Sequence, residues 1–69
     1  MDVSELQTAA RSGDPATGFR AVAALRRLAD QLETRNVATA RRLGWSWEQI
    51  GDALGISRQA AHKKHRRTW

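Results

Sequence analysis

Residues 44–67 of the chain read GWSWEQIGDALGISRQAAHKKHRR. Ser46 is followed three residues later by Gln49, a spacing typical of a capping box at the start of a helix. Gly55 comes about two turns later, where a glycine can take the left-handed conformation that ends a helix and turns the chain. Ser57 then offers an N-cap for another helix. The segment therefore predicts two short helices joined by a tight turn.

The apolar residues of this segment fit the packing of two such helices. A helix-turn-helix unit needs a small residue where the helices touch, a glycine in the turn, and apolar side chains that dock one helix on the other. We expect the first helix to cover residues 47–54 and to face inward through Trp47, Ile50 and Leu54. Ile56 and Ala61 are expected to point inward as well. The residues predicted to build the unit are Trp47, Ile50, Gly51, Leu54, Gly55, Ile56 and Ala61.

Residues 44–67 resemble the helix-turn-helix of bacterial transcription regulators, and in particular region 4 of sigma factors. The shared features are the Gly-x-Ser-aromatic-Glu-x-Ile opening that begins at Gly44 and the Leu-Gly-Ile-Ser-Arg turn that begins at Leu54. Residues 14–67 also resemble a family of small actinobacterial helix-turn-helix proteins, with a long Arg- and Ala-rich helix, a Trp-Ser-Trp opening and a Ser-Arg-Gln-Ala-x-His-Lys recognition helix. The resemblance implies that the second helix enters the major groove of DNA.

The second helix carries the residues expected to contact DNA. From Ile56 to Trp69 the chain has five cations and no carboxylate, which indicates either a phosphate-facing surface or a solvated basic tail. Arg58 can donate two hydrogen bonds to guanine, and Gln59 can pair with adenine unless it is a solvated first-turn residue. The expected base-reading residues are Arg58, Gln59 and His62. The expected phosphate-binding residues are Ser57, Lys63, Lys64, Arg66, Arg67, Arg41 and Arg42.

The N-terminal segment is also expected to be helical, since alanine is abundant and no stretch alternates regularly between apolar and polar residues. A short helix is predicted over Glu5–Arg11, with Ser4 as its N-cap and Gln7 as the capping-box partner. Ser12 and Gly13 are expected to end it.

A long helix is predicted to follow. Asp14 offers an N-cap and Pro15 suits the first helical position, and the periodic pattern runs from there to Leu43 and stops at Gly44. The fold is therefore expected to be all-α. Its parts are an N-terminal helix in residues 1–13, a long amphipathic helix in residues 14–43 and a helix-turn-helix unit in residues 44–69, within a single domain.

The long helix carries an apolar stripe, which is normally buried against another surface. A helix of about 28 residues is roughly 42 Å long, which exceeds what so short a chain needs for its own packing. We therefore expect a homodimer, although a helix pair within one chain is the alternative. The predicted dimer interface consists of Val22, Leu25, Leu28, Leu32 and Leu43. Arg35 and Asn36 interrupt the stripe, either to fix the register of the dimer or because they face water.

The remaining aromatic and histidine residues have structural interpretations. Trp45 and Trp47 could stack on single-stranded bases, but a hydrophobic staple and an inner helix face explain them better. Ala61 and His65 stand where sigma factors have larger apolar residues, so Trp69 is expected to pack back and supply the missing area. His62 and His65 lack a third ligand, so no metal site is expected.

Composition excludes several classes of function. The chain has 69 residues, a net charge of +5 and no cysteine, so it leaves little room for an enclosed active site and none for disulfides. No catalytic grouping, cofactor site, membrane span or signal peptide is evident, and the reducing cytoplasm, at the nucleoid, is the expected location. The sequence predicts a sequence-specific binder of double-stranded DNA that regulates transcription. The alternatives are a nonspecific nucleoid protein and an interaction module whose long helix docks on the transcription machinery or another partner.

Overall fold

The computed structural model describes residues 2–67, and all regular structure in them is α-helical. The four helices are α1 (Val3–Ala10), α2 (Pro15–Arg42), α3 (Trp47–Leu54) and α4 (Arg58–His65). The expected all-α fold, with a short first helix and one long helix, is confirmed. The chain divides into two compact units between Gln31 and Leu32, so that α2 begins in the first unit and ends in the second.

The first helix begins earlier than predicted. The N-cap of α1 is Asp2, whose carboxylate accepts a hydrogen bond from the Glu5 amide at 2.8 Å. Ser4 lies inside the helix, so the predicted Ser4 and Gln7 capping box is wrong. Asp and Ser are equally good N-caps, and the earlier start adds hydrogen-bonded residues to a short helix. Within the first unit, Leu6 of α1 and Ala21 of α2 are the buried apolar residues described.

The long helix has the predicted start. The Asp14 carboxylate accepts hydrogen bonds from the amide and the hydroxyl of Thr17, at 3.2 and 2.6 Å. These two bonds hold the pKa of Asp14 below its ordinary value, because they favour the ionised carboxylate. Pro15 is the first helical residue, as predicted. The helix ends at Arg42, one residue before the predicted end, and Gly44 follows with a φ of 89°.

The core of the second unit joins three helices. Val37 of α2, Ile50 of α3 and Ala61 of α4 are buried together, with Ala40 and Trp47 packed against them. The apolar stripe that the sequence predicts includes Ala40, which packs against this core, but not Val37. Two members of that stripe, Leu32 and Leu43, are exposed in this unit. The buried face of α2 in the second unit is therefore centred on Val37, while the two leucines assigned to the dimer interface stay exposed within the chain.

Candidate nucleic-acid interface

The start of α3 has the predicted capping box. The Ser46 hydroxyl accepts from the Gln49 amide at 3.0 Å, and the Gln49 side chain accepts from the Ser46 amide at 2.8 Å. This reciprocal arrangement satisfies two amides that a helix start leaves without a helical partner. Trp47 is the first residue of α3 and directly follows the Ser46 cap, so the capping box fixes the backbone position from which the Trp47 indole reaches the core.

The turn after α3 also follows the prediction. Gly55 has a φ of 75°, in the left-handed region. The Gly55 amide donates to the Asp52 carbonyl at 3.2 Å, and the Ile56 amide donates to the Gly51 carbonyl at 2.9 Å. These two bonds close the end of α3 and reverse the chain. The Ser57 hydroxyl then accepts from the Ala60 amide at 3.0 Å and caps α4.

Gly51 is the small residue at which the turn meets α3. It is buried, and a Cβ built on it would lie only 2.7 Å from the carbonyl oxygen of Ile56. That distance is too short for any side chain, because the opposing atom belongs to the backbone and cannot rotate away. The predicted need for a small residue is confirmed, and the contact is with the turn that leads into α4.

The apolar docking of α4 is narrower than predicted. Ala61 is fully buried against the core, as expected, but Ile56 is 37% exposed and is not part of the buried core. The backbone of Ile56, rather than its side chain, lies against Gly51. Leu54 was also assigned to the inner face and is likewise 37% exposed. It lines a groove between α2 and α3.

A polar contact holds the C-terminal end of α4. His65 is only 2% exposed, and its Nε2 donates to Oε2 of Glu33 on α2 at 2.5 Å. Lys64 forms an ion pair with the same oxygen at 2.9 Å. The Lys64 hydrogen bond, helped by that of His65, holds the pKa of Glu33 below its ordinary value despite partial burial. Because Glu33 lies four residues before Val37, its side chain is on the face of α2 that α4 approaches.

Sequence reasoning missed this Glu33 contact. The signal available was the polar residue His65, four residues after Ala61 on the inner face of the predicted second helix, since a buried imidazole needs a hydrogen-bond partner. The small apolar area on this side of the helix predicts instead that Trp69 packs there. Trp69 lies outside the described residues.

The predicted base-reading residues share the exposed side of α4. Arg58, Gln59 and His62 are all exposed, as are the predicted phosphate ligands Lys63, Arg66 and Arg67. Residues 58–67 contain no carboxylate. The exposed surface of α4 is therefore uniformly basic or neutral, and we call it the basic face.

Trp47 lies between the basic face and the C-terminal end of α2. The His62 ring meets the indole edge-on, with centroids 5.3 Å apart and an interplanar angle of 80°. The Arg41 guanidinium lies over the same indole, 4.9 Å from its centroid, in cation–π geometry. Arg41 also donates to the Trp45 carbonyl at 2.8 Å. One partly buried indole thus holds a cation from α2 beside a side chain of α4.

Several predicted phosphate ligands already have contacts within the chain. Arg41 stacks on Trp47, Arg42 donates to the Thr39 hydroxyl at 3.3 Å, and Lys64 pairs with Glu33. These contacts restrict the side chains but leave their positive charge in place. The structure therefore distinguishes cations that stand on the open side of α4 from cations that also stabilise the second unit.

Two further findings concern other kinds of site. Within residues 2–67, His, Cys, Asp and Glu side chains do not gather in groups of three or more that could hold a metal ion. Across the same residues, no helix has the length and apolar character needed to cross a membrane.

Comparisons of this chain with protein-family models, with curated proteins and with solved structures give no match.

Proposed function

We propose that this chain binds double-stranded DNA sequence-specifically through α3, the turn and α4, and that it acts as a bacterial transcriptional regulator at the nucleoid. The observation that carries the proposal is the basic face, where Arg58, Gln59 and His62 are exposed together on a helix without carboxylates. Side chains of these three types can bond the edges of bases in the major groove.

The support around α4 fits this use. A helix that reads bases must be held at a defined angle to the rest of the protein, and α4 is fixed at three points. Ser57 caps its start, Ala61 packs into the core, and His65 is bonded to Glu33. All three lie on or near the inner side of the helix, so the basic face remains open.

The charges divide into two roles in this proposal. Arg58 and Gln59 discriminate between bases, while Lys63, Arg66 and Arg67 contact phosphates and position the helix. Contacts of about three cations with phosphates give a salt dependence with a slope near −0.9 per contact, so affinity falls steeply as salt rises. Arg41, next to the basic face, adds a cation from α2.

The test begins with selection from a random duplex pool at about 150 mM salt, where electrostatic binding is weakened and base contacts persist. The enriched sequence is then titrated against the wild-type protein and the R58A, Q59A and R20A variants. Arg20 is an exposed cation of the first unit, so R20A matches the charge lost in R58A.

The proposal predicts that R58A and Q59A each lose about 1–3 kcal/mol of discrimination between the selected sequence and its point mutants. R20A should keep that discrimination. A pool without enrichment would refute sequence-specific binding. Equal losses in R58A and R20A, without any change in discrimination, would indicate a nonspecific nucleoid protein.

A further inference from the structure

An apolar groove lies in the second unit, between the C-terminal part of α2 and α3. It has a volume of about 260 Å³. Buried Val37 and Ile50 lie at its base, and Ala53 and Leu54 of α3 line it from the other side. The groove therefore exposes part of the core of this unit to anything that fits between the two helices.

Three large exposed apolar side chains, Leu43, Trp45 and Leu54, line the groove, and Leu32 lies one helical turn before the lining residue Asn36. Leu32 is 48% exposed, Leu43 74%, Trp45 42% and Leu54 37%. Applied to full side-chain areas of the order of 200 Å², these fractions amount to roughly 400 Å² of apolar surface, within the range of patches that are often functional. Leu43 both lines the groove and is the most exposed of the four. The patch formed by these four side chains thus places the exposed Leu43 side chain next to the groove.

The polar side chains on this side of α2 already donate hydrogen bonds within their own helix. Leu32, Asn36, Thr39 and Leu43 follow one another at steps of four, three and four residues, the spacing of a helix–helix seam. The Asn36 side chain donates to the Leu32 carbonyl at 2.8 Å, and the Thr39 hydroxyl donates to the Arg35 carbonyl at 3.1 Å. Because these donors already have partners on their own helix, covering them leaves fewer unsatisfied groups.

The charges of the groove argue for an apolar occupant. Among the described residues that line it, Glu33 is the only ionisable one, and its carboxylate is bonded to Lys64 and His65. Nucleic acid or an acidic peptide would require cations in the lining, and a basic peptide would require available carboxylates. The chain as a whole carries +5, so two copies repel each other less through this groove, whose lining has no cation, than through a basic surface.

We propose that a second copy of this chain occupies the groove. Leu43 of each copy enters the groove of the other. The contact is two-fold symmetric, so both copies use the same surface. Two such patches bury roughly 800 Å² of apolar area from these side chains alone, so the whole interface is near the lower limit for a specific one. An interface of this size is typical of weak or transient association.

Sedimentation velocity over a wide range of concentration tests the proposal with three proteins. L43E places a carboxylate at the centre of the patch. F19E is the matched control, since Phe19 is also on α2 and is 75% exposed, but belongs to the first unit. We expect wild type and F19E to dimerise alike, and L43E to require about tenfold more protein or remain monomeric. Circular dichroism checks that both variants keep the helical content of the wild type.

Mixed disulfides locate the contact independently. The chain contains no cysteine, so L43C protein can be oxidised in a mixture with A53C protein, with F19C protein as control. We expect the L43C and A53C pair to cross-link faster than either protein with F19C.

A chain that stays monomeric at every concentration would overturn the proposal, as would a dimer that L43E leaves unchanged. Preferential cross-linking to F19C would also overturn it by placing the contact in the first unit. Neither measurement involves DNA, so the result is independent of the function proposed above.

Discussion

Replacing Gly51 with alanine tests how closely the turn approaches α3. The added methyl would lie 2.7 Å from the Ile56 oxygen and 3.1 Å from the carbonyl carbon and oxygen of Ser57. All three are backbone atoms. They belong to the turn whose Ile56 amide bonds the Gly51 carbonyl at 2.9 Å. The methyl must therefore push the turn away from α3 or weaken that hydrogen bond.

The expected size of the effect comes from two opposing contributions. Overpacking of this kind costs about 1–3 kcal/mol, whereas replacing a helical glycine with alanine gains up to about 1 kcal/mol. We expect G51A to be less stable by about 1–2 kcal/mol. For a domain of this size, each kcal/mol lowers Tm by about 4–8 °C. The control is G18A, because a Cβ at Gly18 would lie 3.6 Å from the Ala10 carbonyl oxygen, an ordinary contact. G18A should be neutral or slightly stabilising.

Tryptophan fluorescence is the suitable assay. All three tryptophans of the sequence follow Gly44, so their emission reports on the second unit, while circular dichroism follows helix content in both units. G51A should lower the fluorescence midpoint, and G18A should leave it unchanged. If G51A melts at or above the wild-type temperature, the turn does not need the close approach seen here, and Gly51 does not determine how the turn leads into α4.

Two further substitutions test the contacts that hold α4. E33Q should flatten the acid side of the stability profile. The pKa of Glu33 is lowered chiefly by Lys64, so its carboxylate stabilises the fold above the ordinary pKa and loses this effect as pH falls through the lower folded-state value. Urea midpoints from neutral pH to about pH 3 measure this, and parallel profiles for wild type and E33Q would contradict it. S57A should cost about 1 kcal/mol through loss of the α4 cap, whereas S4A, inside α1, should cost much less. Equal losses would refute the capping assignment.

The helix ends of the second unit were predictable because their causes are local. The capping box at Ser46 and Gln49, the left-handed Gly55 and the Ser57 cap each depend on residues no more than five positions apart. Hydrogen bonds at that range depend on the local backbone conformation, which the nearby residues largely determine. The same locality explains the error at α1. Asp2 and Ser4 are both suitable caps, and sequence alone does not rank two candidates only two residues apart.

Contacts between distant residues were not predictable in this way. Glu33 and His65 are 32 residues apart, and their pairing depends on the angle at which α4 meets α2. Val37 is buried, rather than Leu32 or Leu43, for the same reason. The sequence shows an apolar stripe along α2, but the residue that α3 and α4 cover depends on where the turn at Gly44 directs the chain. A stripe with more leucines can therefore remain exposed while one valine is buried.

The polar anchor of α4 has a consequence for how the basic face is built. A helix with only Ala61 as its buried apolar residue gains little from hydrophobic burial. Glu33 compensates by bonding both His65 and Lys64. It also places one negative charge behind α4, where it offsets part of the repulsion among the cations of that helix. The exposed residues of α4 are therefore not needed for its attachment to the core. If α4 were held by larger apolar residues, it would need no carboxylate beneath it, and the acid sensitivity predicted for Glu33 would be absent.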